Sequence, residues 1–248
     1  MDLRVFDSPA DLAQAAAALV TERARRAIAA AGRCSLALSG GSSPLPLYRR
    51  LGADPDFPWP QTHLFWGDER CVPADHPESN RGAALKALGP PPGLPPENLH
   101  PFRGQLSPAE AAQDYEWRLR GFFAGQDWPA WDLVLLGLGP DGHTASLFPG
   151  SPALAEQRAW VAAVPAPVHI GPHLPRVTLT LPAINSARCV LFLAPGAAKR
   201  PLLKAMRDDP AAAAREYPAA QVNATGETLW LVDRAAAPID SQAGGVLK

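Results

Sequence analysis

The chain has 248 residues, of which 47% are hydrophobic and 19% charged, with a formal net charge of -1. That length buries about three-quarters of the unfolded surface in an ordinary globular protein, and the near-neutral balance excludes an overall field for nucleic acid or membrane. No apolar run approaches the length of a membrane span, and no basic-then-apolar signal opens the chain. Any anionic ligand must therefore be held by a local cluster.

In chain order, Ser8, Pro9 and Asp11 predict an N-cap, a first-turn proline and an acidic third position, opening an Ala-rich helix that Gly32 ends. CSLALS (34–39) reads as a buried strand, followed by a helix that Pro44 opens and Gly52 closes. THLFWGDE (62–69) reads as a second strand, and SNRGAALKALG (79–89) as a helix. GPPPGLPPENLHP (89–101) predicts a rigid, non-helical connection. SPAEAAQDYEWRLRGFF (107–123) follows as a capped amphipathic helix, and WDLVLLGLG (131–139) as an apolar strand. RVTLTLPAINSA (176–187) starts as an alternating strand, and Pro182 starts a short helix. RCVLFLAPG (188–196), GAAKRPLLKAMRD (196–208) and ETLWLVDR (227–234) read as strand, helix and strand.

Strands alternate with helices, and most strands are apolar on both faces. That pattern predicts an α/β fold: one doubly wound, Rossmann-like domain over residues 1–248, with a mainly parallel sheet and helices on both faces. Ligands of such sheets sit beyond the carboxyl ends of the strands. SGGSS, GDER, GPDGH and PGAAK all follow apolar strands, so a single shared pocket is expected.

Each cluster has a chemical and a plain structural reading. SGGSSP (39–44) is a phosphate or carboxylate cradle in outline, or a tight turn with a capping serine. It lacks the GK[ST] ending of a nucleotide loop and the three-glycine dinucleotide pattern. In GDERCVP (67–73), Asp68, Glu69 and Arg70 cannot all face one way, so one of them is expected to be structural. Cys71 reads as a packed thiol, and Cys34, Cys71 and Cys189 show no metal or disulfide spacing, as expected in a reducing cytoplasm. GPDGHTASLFP is sharper. An imidazole accepts a proton near neutral pH, Asp141 lies two residues from His143, and four glycines fall within 137–150. The remaining histidines (His63, His76, His100, His169 and His173) are expected to be surface or structural, without metal-ligand spacing. Lys199, in the first turn of a helix, opposes the helix dipole unless an anion lies there. Arg176 opens a strand.

Together, SGGSSP, GDERCVP, SN (79–80), LGLGPDGHTASLFPG (136–150), RVTLT (176–180) and PGAAK (195–199) resemble the 6-phosphogluconolactonases, within a superfamily that includes glucosamine-6-phosphate deaminases. The resemblance runs from 33 to 232. It implies hydrolysis of 6-phospho-D-glucono-1,5-lactone to 6-phosphogluconate in the oxidative pentose phosphate pathway, without metal or organic cofactor. It also implies a cytoplasmic monomer with no nucleic-acid or membrane partner, in transient contact with glucose-6-phosphate dehydrogenase. By the same resemblance His143 is the general base for water, supported by Asp141. Gly40, Gly41, Ser42, Arg176 and Lys199 grip the phosphate, Asp68 and Arg70 lie near the sugar or its carbonyl, and Asn80 is a further substrate-binding residue. Arg70 is also counted with the catalytic group.

Three alternatives compete. A deaminating isomerase of the same fold resembles DGHIAFNEP in the histidine loop, with glutamate where this chain has Phe148, and MDEY where this chain has GDER. A serine hydrolase using Ser42 with His143 lacks the G-x-S-x-G elbow. A non-catalytic sugar-phosphate sensor would need an upstream helix-turn-helix, for which the strand and helix at the start of the chain leave no room.

Overall fold

The computed structural model describes residues 1–91 and 93–238. In chain order its elements are β1 (Asp2–Phe6), α1 (Pro9–Ala31), β2 (Cys34–Leu38), α2 (Leu45–Ala53), β3 (Thr62–Trp66), β4 (Asp68–Arg70), α3 (Asn80–Leu88), β5 (Leu99–His100), α4 (Pro108–Phe122) and β6 (Leu133–Gly137). They continue with β7 (Val161–Val164), β8 (Arg176–Leu179), α5 (Leu181–Asn185), β9 (Cys189–Leu193), α6 (Arg200–Asp208), α7 (Pro210–Glu216) and β10 (Glu227–Asp233). Among the described residues, no helix is long and apolar enough to cross a membrane.

Seven strands form a parallel sheet in the order β1-β10-β9-β6-β2-β3-β5. The chain winds outward from β2 through β3 to β5, then returns to lay β6 on the other side of β2. The doubly wound sheet therefore reverses direction between β2 and β6, where a crevice opens at the carboxyl ends. SGGSSP leaves β2 there, and GPDGH leaves β6. β2 and β9 are buried along their whole length, as expected of strands covered on both faces.

The helix starts follow the sequence signals. Ser8 accepts from the Asp11 amide at 3.2 Å, and Gly32 takes φ +74° while its N–H donates to Ile28 O. Ser107 and Glu110 close a capping box at α4. Ser79 caps α3.

Elsewhere the structure corrects the reading. THLFWGDE is not one strand, because it breaks at Gly67. Its last part, β4, joins an antiparallel three-stranded sheet in the order β4-β8-β7. Gly67 bridges the two sheets, donating its N–H to Leu38 O and accepting from Leu179 N. α2 starts at Leu45 with no side-chain cap, so no serine of SGGSSP caps it, and it runs past Gly52 to Ala53. Gly52 does not stop the helix; a Cβ there would overlap the Leu88 backbone, so its hydrogen lets α2 close on α3. The proline-rich connection holds a 3-10 turn at Pro96–Asn98 and the short β5, while Pro92 lies outside the described residues. The strand expected at the start of the chain is β1, whereas β5, β7 and α7 were not legible in the sequence. β1 is short and half-exposed; it pairs with β10, and Leu3 and Phe6 pack against the core.

Two buried tyrosines hold the strand ends that face the crevice. Tyr48 on α2 donates its hydroxyl to Ser39 O at 2.8 Å and accepts from Ser39 N at 2.9 Å. Tyr115 on α4 does the same for Trp66, at 3.2 and 3.0 Å. Each hydroxyl satisfies a backbone pair that has run out of neighbouring strand, at about 1 kcal/mol per bond.

Candidate active site

A cavity of about 220 Å³ opens over the switch point. Gly40, Gly41, Ser42, Asp68, Arg70, Asn80, His143, Arg176 and Lys199 all line it, so residues spread over 160 positions of chain meet in one place. Asp141 does not line it and instead stands behind His143.

β4 separates its three charged residues by alternation. Asp68 and Arg70 face the cavity, whereas Glu69 turns away and serves α3. Its two carboxylate oxygens accept from the amides of Asn80 (2.7 Å), Arg81 (2.8 Å) and Arg70 (2.8 Å), and from Ser79 Oγ (3.1 Å). A carboxylate at a helix N-terminus suits the helix dipole. Burial pushes the Glu69 carboxyl up, and these amides oppose that shift only in part.

Asp68 is fixed from both sides: Asn80 Nδ2 donates to Oδ1 at 3.2 Å, and Ser146 Oγ donates to Oδ2 at 2.6 Å. Asn80 is in turn pressed on Gly40, where a Cβ would overlap its amide. Glycine at 40 therefore reflects a close approach, whereas Gly41 is required by its φ of +81°.

In the β4–β8 pair, Arg70 lies directly opposite Arg176. Like charges facing each other across strands repel, which makes this register a place for an anion. Arg70 Nη1 donates to Glu78 O at 2.6 Å, and Arg176 Nη2 donates to Pro172 O at 3.0 Å. The Nε of each arginine, and Asn80 Oδ1, are buried with no protein partner. Burial depresses Arg176, and Asp68 counters that effect. Lys199 ends a 3-10 turn and is the N-cap of α6 rather than a first-turn residue. Burial pushes its ammonium down, against the pull of Asp141. Asp233 Oδ1 accepts from Gly196 N at 2.9 Å, tying the loop that carries Lys199 to the end of β10.

The histidine loop is a tight turn. Gly142 (φ +80°) donates its N–H to Gly139 O, Gly139 N donates to His143 O, and a Cβ on Gly139 would overlap the His143 imidazole. Ala145 holds φ +49°, an uncommon conformation for a residue with a side chain, in the cavity wall. Asp141 Oδ1 takes His143 Nδ1 in a short hydrogen bond and His143 N at 3.2 Å. Burial opposes ionisation of Asp141, but the hydrogen bonds from His143 and His169 prevail and hold its carboxyl far below the usual range. An ionised carboxylate only accepts, so His143 carries its proton on Nδ1. Its Nε2 lone pair is left free to act as a base.

Three neighbours escaped the sequence reading. Ser146 is one. Phe148 is the second, since the sequence marked it only as the position of the isomerase glutamate and not as a contact: its ring packs 4.7 Å from the His143 ring and lies under the Arg176 guanidinium at 5.3 Å. The third is His169, expected to be surface or structural: it takes the structural place, at Asp141. Its Nε2 donates to Asp141 Oδ2 at 2.8 Å. Nothing in its sequence setting showed this, since 28 residues separate the pair. Cys71 is half-buried, and burial pushes its thiol up to about 11, away from thiolate chemistry.

A family model described as glucosamine-6-phosphate isomerases/6-phosphogluconolactonase matches residues 7–230. A 6-phosphogluconolactonase of Synechocystis sp. is 44% identical over 229 residues, 91% of this chain and 92% of that protein. One from Nostoc sp. is 42% identical over 88% of this chain and 89% of that protein. The solved 6-phosphogluconolactonase of Trypanosoma cruzi superposes with a TM-score of 0.84 at 32% identity, covering 95% of each chain. The chain belongs to the glucosamine-6-phosphate isomerase/6-phosphogluconolactonase family.

Proposed function

We propose that this protein hydrolyses 6-phospho-D-glucono-1,5-lactone to 6-phospho-D-gluconate, the lactone-opening step of the oxidative pentose phosphate pathway, by general-base activation of water. The observation that carries the reading is His143, backed by Asp141, on the wall of a cavity lined by Arg70, Arg176 and Lys199. We also read residues 1–248 as one domain, because nearly all the buried apolar side chains among the described residues join one contiguous cluster.

The phosphate is held by Arg176, Lys199 and the Gly40–Gly41–Ser42 backbone. Charged hydrogen bonds of this kind are worth about 1.5–3 kcal/mol each. The phosphate does not change in the reaction, so this binding serves to place the C1 carbonyl near His143. His143 Nε2 takes a proton from water as the water oxygen bonds to C1. The tetrahedral intermediate then expels the ring oxygen, which receives that proton as the C1–O bond breaks. Asp141 stabilises the imidazolium that exists in between. Arg70 and Asp68 lie beside the sugar, with the Arg70 guanidinium in the cavity wall supplying positive charge near the developing oxyanion. A positioned base gives about 10²–10⁴-fold, enough for an activated ester.

Two features favour lactonase over isomerase chemistry. The isomerase-like glutamate position is Phe148, a buried ring with no proton to move. Asp68 has both oxygens engaged by Asn80 and Ser146. Against a serine nucleophile, no hydrogen bond joins Ser42 to His143 among the described residues.

His143→Ala tests the proposal. With spontaneous hydrolysis subtracted, lactonase activity should fall about 10²–10⁴-fold, and glucosamine-6-phosphate should give no fructose-6-phosphate in a coupled assay. Lactone turnover near the unsubstituted rate would remove the base.

A further inference from the structure

We propose that His169 is a positioning residue for the base, holding the second oxygen of Asp141 so that the carboxylate keeps His143 in its working orientation and tautomer. The inference rests on the general-base reading and adds a residue to it.

Asp141 divides its oxygens. Oδ1 accepts from the ring and the backbone of His143, and Oδ2 accepts from His169 Nε2 at 2.8 Å. No other protein hydrogen bond reaches Oδ2 among the described residues. A carboxylate bonded through one oxygen alone can turn about its terminal torsion, which is broad and shallow. A second bond on the opposite oxygen blocks that turn, so the two imidazoles clamp Asp141 between them.

The second contact of His169 points the same way. Its ring meets Phe148 edge-on, at 5.8 Å and 88°. Phe148 is the ring that also packs on His143 and lies under Arg176. His169 thus touches both supports of the base without lining the cavity itself.

The segment that carries His169 is fastened at the site. His173 Nδ1 donates to Pro167 O at 2.6 Å, Arg176 Nη2 donates to Pro172 O at 3.0 Å, and Cys71 N donates to Pro175 O at 2.8 Å. Val168, beside it in sequence, is 90% exposed, whereas the His169 side chain is 46% exposed and turned toward Asp141. Residues 165–175 therefore form a strap from the anion-binding Arg176 to the carboxylate behind His143.

A histidine that only steadied a surface loop would change melting temperature and leave turnover alone. A positioning residue changes kcat, and because His169 lines no part of the cavity, KM should hold. The test compares three variants of the full chain in steady-state lactone hydrolysis. His169→Phe keeps a ring against Phe148 and removes the donor, His169→Gln returns an amide donor near the lost Nε2, and His169→Asn carries an amide too short to reach Asp141. We expect kcat to fall about fivefold to tenfold in the phenylalanine and asparagine variants, with KM within about twofold, and to recover most of its value in the glutamine variant. Unchanged kcat in His169→Phe, or equal loss in all three, would overturn the proposal. His143→Ala in parallel separates the two claims. If that variant stays active, the base reading fails; if it is inactive while His169→Phe keeps full kcat, only the role of His169 fails.

Discussion

Replacing Asp141 by asparagine isolates the charge behind the base. Because His143 N and Nδ1 both donate to the Oδ1 position, the amide should settle with its oxygen there and its nitrogen toward His169. His169 can then accept by changing tautomer. The tautomer of His143 is kept, and what is lost is the negative charge that faces the imidazolium formed during water attack. Unit charges about 4 Å apart interact by about 4 kcal/mol at an effective dielectric of about 20. The two side chains are 18% and 21% exposed, so water screens part of this, leaving about 1.5–3 kcal/mol, or about 10- to 150-fold in kcat. KM should stay within about twofold, since Asp141 does not line the cavity. Stopped-flow or pH-indicator assays, with the uncatalysed rate subtracted, measure both constants. A fall in kcat below about threefold, or a change confined to KM, would refute the argument that Asp141 acts by charge on His143.

Gly40→Ala should push a methyl group onto the Asn80 amide and so loosen Asp68. Overpacking of this kind costs about 1–3 kcal/mol, or about 2–4 °C in Tm per kcal/mol for a chain of this size. Calorimetry showing an unchanged Tm together with unchanged kcat/KM would sink that account. Acid stability should depend on His100, which burial, with the nearby His63, Arg118 and Arg33 charges adding to it, pushes down to about 4. The unfolded chain binds that proton at about pH 6.5 and the folded chain does not. Stability is therefore complete above about 6.5 and is lost as the pH falls toward 4. His100→Phe, which keeps the stacking on Phe65, should flatten the decline of the urea midpoint across that window, and an unaltered slope would argue otherwise.

Much of the fold was legible because its signals are local. Apolar runs without alternation marked strands buried on both faces, and Ser8, Ser79 and Ser107 each cap the helix that follows them. The places where local rules conflicted were the informative ones. Lys199 against a helix dipole and three charges in a row at GDER both marked the cavity, and alternation along β4 assigned Glu69 to α3 and left Asp68 and Arg70 at the site. Short or half-polar elements stayed invisible. β5 and β7 carry too few residues for periodicity to show, and they pair with neighbouring strands that offer them hydrogen bonds.

The sequence by itself determined the alternation of elements, the order of the polar clusters and the family they resemble, since each depends on residues near one another in the chain. Only the tertiary structure decided what those clusters touch. It broke 62–69 into two sheets at Gly67, set Arg70 opposite Arg176, seated Phe148 between His143 and Arg176, and brought His169 to Asp141. Such contacts depend on where separate segments meet in space, and short-range spacing in a sequence carries no record of that.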